Sequence, residues 1–144
     1  MNIITLGTFD IFHYGHMNLL KKCREFAGDG DVIVGLNTDA FVEKYKGKPP
    51  VMNYAERSEA IYSFDENIII LPNSQEPDGS IKELINNYPE IIHLIVIGSD
   101  WAIKDYVGQL GIDWDWLNDH GIGICYLNYT HGISTTEIKK RLQK

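Results

Sequence analysis

The chain is short of positive charge: 13 lysines and arginines face 20 aspartates and glutamates, a net charge of -7 over 144 residues. A nucleic-acid or anionic-membrane partner needs a basic face that this composition does not offer. Cysteine is scarce too. Cys23 and Cys125 lie in a helical and a strand-like pattern without C-x-x-C spacing, so reduced, buried thiols are expected rather than a disulfide or a metal site. The longest apolar run, IIHLIVIG at 91–98, is far too short to span a bilayer. Asp10, His13 and His16 interrupt the stretch where a signal peptide would need continuous apolarity. Repeats, low-complexity tracts and linkers are also missing. The expectation is one compact domain working in the cytoplasm.

What is present is alternation. Short β-branched runs at 2–6, 31–36, 67–71, 93–98 and 122–127 read as strands, and helical patterns near 16–27, 53–64, 80–88, 113–120 and 135–143 lie between them. Continuous apolar runs suit strands covered on both faces. The fold class is therefore α/β, a single domain with a five-stranded parallel sheet, and a ligand belongs at the carboxyl ends of the strands. The glycines of GDGD at 28–31 close a helix and precede a strand, so they mark a cap and turn rather than a dinucleotide fingerprint.

After the first strand comes GTFDIFHYGH, with His13 and His16 around Gly15 at the start of a helix. Free N–H groups there favour an anion, and two imidazoles can donate charge-assisted hydrogen bonds to phosphate oxygens. Polar residues at a helix start, or two zinc ligands lacking a third at recognisable spacing, are the other readings. After the second strand, Lys44, Lys46, Lys48 and Arg57 gather in a Lys/Gly/Pro-containing stretch that reads as a flexible phosphate clamp or a solvated loop. Arg57, beside Glu56 and Glu59, also suits a surface ion pair. GSDW at 98–101 follows the fourth strand. Ser134, Thr135 and Thr136 precede the last helix, where Ser134 and Glu137 have capping-box spacing.

In this order and spacing, GTFDIFHYGH, KYKGKPP…ER, GSDW and GISTTEIKKRL resemble the cytidylyltransferase branch of the HxGH nucleotidyltransferase superfamily, and within it the small glycerol-3-phosphate-using enzymes. The resemblance implies a Rossmann-like, doubly wound sheet and transfer of CMP from CTP to a small phosphorylated alcohol, with Mg²⁺ held mainly through nucleotide phosphates. Glycerol 3-phosphate is the first acceptor implied; ethanolamine phosphate, a polyol phosphate, a sugar phosphate and the use of ATP are the alternatives, beside a non-catalytic nucleotide-binding module. His13, His16, Lys44 and Arg57 would carry catalysis. Gly7, Thr8, Phe9, Gly15, Lys46, Thr130, Gly132, Ile133, Ser134, Thr135 and Thr136 would join His13, His16 and Arg57 around the nucleotide. Asp10, Asp39, Lys44, Asp100 and Trp101 would meet the acceptor. The resemblance also implies a homodimer. Two positions depart from the pattern: Tyr129 stands where an arginine is usual, and Ser99 where an aspartate is usual.

Overall fold

The computed structural model describes residues 1–74, 80–98, 106–128 and 133–143. Its strands are β1 (Ile3–Gly7), β2 (Val32–Asn37), β3 (Ile69–Asn73), β4 (Leu94–Gly98) and β5 (Gly123–Leu127). All pair in parallel, in the order β3-β2-β1-β4-β5. The helices are α1 (Tyr14–Ala27), α2 (Asp39–Lys46), α3 (Tyr54–Phe64), α4 (Ile81–Asn87), α5 (Tyr106–Gln109), α6 (Trp114–His120) and α7 (Thr135–Leu142). The fold is a Rossmann-like α/β sheet, and strand order reverses beside β1, the switch point at which such sheets bind ligands.

Alternation along the strands splits the core into two layers. Ile4, Ile33, Ile95 and Ile97 pack on one face against Ile81 and Ile85 of α4 and Leu117 of α6. Ile3, Val32, Val34 and Val96 pack on the other against Leu20 and Cys23 of α1 and Ile61 of α3. Helices thus cover both faces, as the unbroken apolar strands require.

The 28–31 glycines behave as the sequence suggests. Gly28 closes α1 at φ 58, and a Cβ on Gly30 would lie 2.1 Å from the Met1 carbonyl oxygen. The main departure is residues 39–46, which form a helix rather than a flexible loop. Thr38 caps it, accepting the Phe41 amide on its Oγ1 at 3.2 Å; Asp39 sits in the first turn, and Gly47 ends it at φ 80. These are strong start and stop signals, and they outweigh the Lys/Gly/Pro composition that argues for a loop.

Candidate active site

A cavity of about 930 Å³ opens across the carboxyl ends of the sheet, lined from β1 to β5 and roofed by the starts of α1 and α7. The turn from Thr8 to His13 borders it through Thr8, Phe9 and His13. Phe9 and Ile11 both adopt left-handed backbone there, at φ 54 and 47. For bulky side chains this conformation is strained by about 1–3 kcal/mol each, and it persists only where the surroundings impose it.

The imposition is visible. Buried Asp10, between the two strained residues, accepts the Val51 and Met52 amides at 2.8 and 2.9 Å and the Ile11 amide at 3.1 Å, with Lys139 Nζ 3.7 Å away. Its carbonyl accepts the Thr135 hydroxyl at 2.6 Å. Phe9 lays its ring over Gly7, where a Cβ would come within 2.9 Å of it. Chain segments distant in sequence therefore lock one turn in place.

That turn delivers the two histidines. His13 is the N-cap of α1: its Nδ1 accepts the Gly15 amide at 3.1 Å, while Nδ1 of His16 accepts the His13 amide at 3.2 Å. An amide can only donate, so each neutral ring carries its proton on Nε2. Among the described residues neither Nε2–H has an acceptor, and both histidines line the cavity. The rings stack with centroids 3.7 Å apart, and Phe9 and Phe12 flank His16 at 5.1 and 5.6 Å. Burial, then the neighbouring His13, pushes His16 down to about 3, against a partial opposing pull from Asp10; burial lowers His13 as well. Both are neutral donors at neutral pH. The charge in any charge-assisted hydrogen bond they make to phosphate must therefore come from the acceptor.

Opposite them, Ile133, Ser134 and Thr135 bring the start of α7 to the same cavity. Ser134 Oγ accepts the Glu137 amide at 3.0 Å; the Glu137 carboxylate, instead of closing the capping box, lies 3.5 Å from Arg141. Gly15 sits where the two helix starts meet: a Cβ on it would come 2.9 Å from the His13 ring and 3.4 Å from Ile133. Two helix N-termini and two N–H-bearing imidazoles facing one cavity make an anion site, suited to a polyphosphate.

Gly7, Thr8, Phe9, His13, Gly15, His16, Ile133, Ser134 and Thr135 are therefore brought together as expected. Others are not. Arg57 is fully buried, its Nε donating to the Met52 carbonyl at 2.9 Å and its terminal nitrogens to the Thr8 carbonyl at 2.7 Å and Asp39 Oδ1 at 2.6 Å. It stands outside the cavity lining and is not a surface ion pair; its guanidinium is spent on the turn and on Asp39 rather than facing the cavity. Asp39, which also accepts the Tyr54 amide, serves the same brace. Asp10 likewise holds backbone rather than facing the cavity. Lys44 and Lys46 are exposed on α2, outside the lining, with Lys46 Nζ 5.6 Å from the Tyr45 ring, and exposed Thr136 is also outside it. Thr130, Gly132, Asp100 and Trp101, with Ser99 and Tyr129, lie outside the described residues.

Sequence reading missed the polar stripe Asn18, Lys21, Lys22 and Glu25, whose spacing puts it on one face of α1 along the cavity. It also missed Asn37, Tyr45 and Asn73. Buried Thr5 Oγ1 and Asn73 Oδ1, both on cavity-lining residues, have no hydrogen-bond partner among the described residues. The described residues assemble no group of three or more His, Cys, Asp or Glu that could cage a metal ion.

The cytidylyltransferase-like family matches residues 4–141, nearly the whole chain, and spans every element of the site. The chain belongs to that family. It is 37% identical to a glycerol-3-phosphate cytidylyltransferase of Bacillus spizizenii over 140 residues, covering 96% of this chain and 94% of the relative. It is 31% identical to the bifunctional protein HldE of Aliarcobacter butzleri, covering 99% of this chain and 27% of that protein. A lipopolysaccharide core biosynthesis protein from Thermoplasma volcanium shares the fold, with a TM-score of 0.61 at 21% identity over 90% of this chain and 96% of that one. As a member of this family the protein is a nucleotidyltransferase. No helix among the described residues is long and apolar enough to cross a membrane.

Proposed function

We propose that the enzyme transfers CMP from CTP to a small phosphorylated alcohol, glycerol 3-phosphate first, and releases pyrophosphate. The observation that carries this reading is the histidine pair, whose Nδ1 atoms are both spent on backbone amides so that, among the described residues, both Nε2–H groups remain for a ligand. An acceptor phosphate oxygen attacks the α-phosphorus of CTP in line. The new O–P bond forms as the bond to the bridging α–β oxygen breaks, and the electron pair leaves with pyrophosphate. The nucleophile is already an anion, so no general base is needed, and the residues act by orientation and by donating to phosphoryl oxygens as charge builds there.

In this reading the free amides of α1 and α7 hold the triphosphate. In the same reading Mg²⁺ comes with the nucleotide, held mainly through its phosphates. The reading includes a cytoplasmic homodimer. The supporting resemblance to glycerol-3-phosphate cytidylyltransferases covers nearly the full chain.

Phosphorus NMR of a reaction holding Mg²⁺, CTP and glycerol 3-phosphate tests the proposal. One equivalent of pyrophosphate and one diphosphate diester per CTP consumed is the expected result. Turnover with ATP and none with CTP would overturn the choice of nucleotide; binding of CTP without turnover of any acceptor would replace the enzyme with a regulatory module.

A further inference from the structure

The cavity extends past the histidines, over the carboxyl ends of β2 and β3, into an arm that the phosphate chemistry does not use. Asn37 and Asn73 are the last residues of those strands, register partners with side chains on one face of the sheet. Asn73 donates to Asn37 Oδ1 at 2.9 Å, and Asn37 donates to Thr8 Oγ1 at 3.0 Å, itself 3.3 Å from the Tyr45 hydroxyl. The relay begins beside Gly7, next to the reaction centre, and ends at Asn73.

It ends open. Asn73 is 1% exposed, yet among the described residues its Oδ1 has no partner. Turning both amides over keeps the internal bonds and leaves the Asn73 NH₂ unpartnered instead, so either arrangement presents one unused polar group to the cavity. A buried amide atom without a partner costs about 1–3 kcal/mol. Ile69 and Leu71, on the same face of the same strand, are apolar and pack into the core, so an apolar side chain would suit this face better in the absence of a ligand.

We propose that this arm is the acceptor subsite and that Asn73, positioned by Asn37, hydrogen-bonds a hydroxyl of the phosphorylated acceptor. The inference rests on the transferase reading. From β1 to β3 is two strand spacings, about 10 Å, which suits a polyol or sugar whose phosphate end lies at the histidines. Phe41 and Tyr45, with ring centroids 4.9 Å apart, line the arm and offer apolar contact to its carbon chain. Among the described lining residues the sole carboxylate is Glu25, on α1 and paired with Lys22. The arm therefore selects a neutral hydroxylated chain over an amino alcohol.

The test is pyrophosphate release at saturating Mg²⁺ and CTP with glycerol 3-phosphate, a hexose 1-phosphate, ethanolamine phosphate and n-propyl phosphate. The wild-type comparison needs no variant: at least one hydroxylated acceptor should exceed propyl phosphate and ethanolamine phosphate in kcat/KM by about tenfold or more, the worth of one well-made hydrogen bond. Asn73→Ala, with Asn73→Ser as the milder change, should bring that ratio toward one by raising the acceptor KM while the CTP KM holds. Propyl phosphate or ethanolamine phosphate turned over as well as the best hydroxylated acceptor, or an unchanged ratio in folded Asn73 variants, would overturn the subsite and leave the transferase standing. Release with none of the acceptors would overturn both.

Discussion

Nδ1 of His16 accepts the backbone amide of His13 at 3.2 Å, and the two rings stack with centroids 3.7 Å apart. One contact thus joins helix capping to ligand chemistry: the nitrogen that starts α1 fixes the tautomer that aims the other nitrogen at the cavity. Protonating Nδ1 of either ring would break its bond to the backbone.

A pH dependence of stability follows. An unfolded histidine titrates near 6.5, whereas His16 is pushed down to about 3 in the fold. Between those values the unfolded chain binds the extra proton, so the stabilisation is fully present above about pH 7 and is lost as pH falls toward 3, by at most about 1.4 kcal/mol per pH unit for this residue. Urea midpoints measured from pH 8 to 4 should fall on the acid side. His16→Gln, which retains a side chain able to complete the cap, should flatten that fall.

Gly15→Ala should separate geometry from folding. Alanine favours a helix, but its Cβ would stand 2.9 Å from the His13 ring, which must move. The variant should melt within a few degrees of wild type and lose about 10²-fold in kcat, the scale of a 1 Å misplacement. Full activity would show that the position of the His13 ring does not matter.

Arg57 should register first in stability. Replacing it by alanine strands the Thr8 and Met52 carbonyls and Asp39, for a loss of about 3 kcal/mol or more. Asp39→Asn, which keeps an oxygen for the guanidinium, should lose about 1 kcal/mol. Denaturation curves check both. A more than tenfold rise in the CTP KM of Arg57→Lys at unchanged melting temperature would restore the direct phosphate contact that its position outside the cavity lining argues against.

Much of this was legible in the chain. The β-branched runs mark the strands because both faces of a parallel sheet are covered, and H-x-G-H marks the site because a helix start after a strand is where an anion binds. Helix α2 is hidden in the sequence although Thr38, Asp39 and Gly47 are all capping signals, because Lys44 to Pro50 looks like a loop by composition. The burial of Arg57 was hidden among charged neighbours on α3 that face solvent. Asn37 and Asn73 lie 36 residues apart, and only the β2–β3 register brings their amides together.

In the proposed mechanism the imidazole Nε2–H groups stabilise the reacting phosphate. His13→Asn tests it most directly, because asparagine is an excellent N-cap and removes the donor while keeping the helix start. With Mg²⁺, CTP and a working acceptor, its kcat for pyrophosphate release should fall by about 10²–10³ at a melting temperature close to wild type, with His13→Ala losing stability as well. A His13→Asn enzyme that turns over at the wild-type rate would mean that the His13 Nε2–H does not stabilise the reacting phosphate.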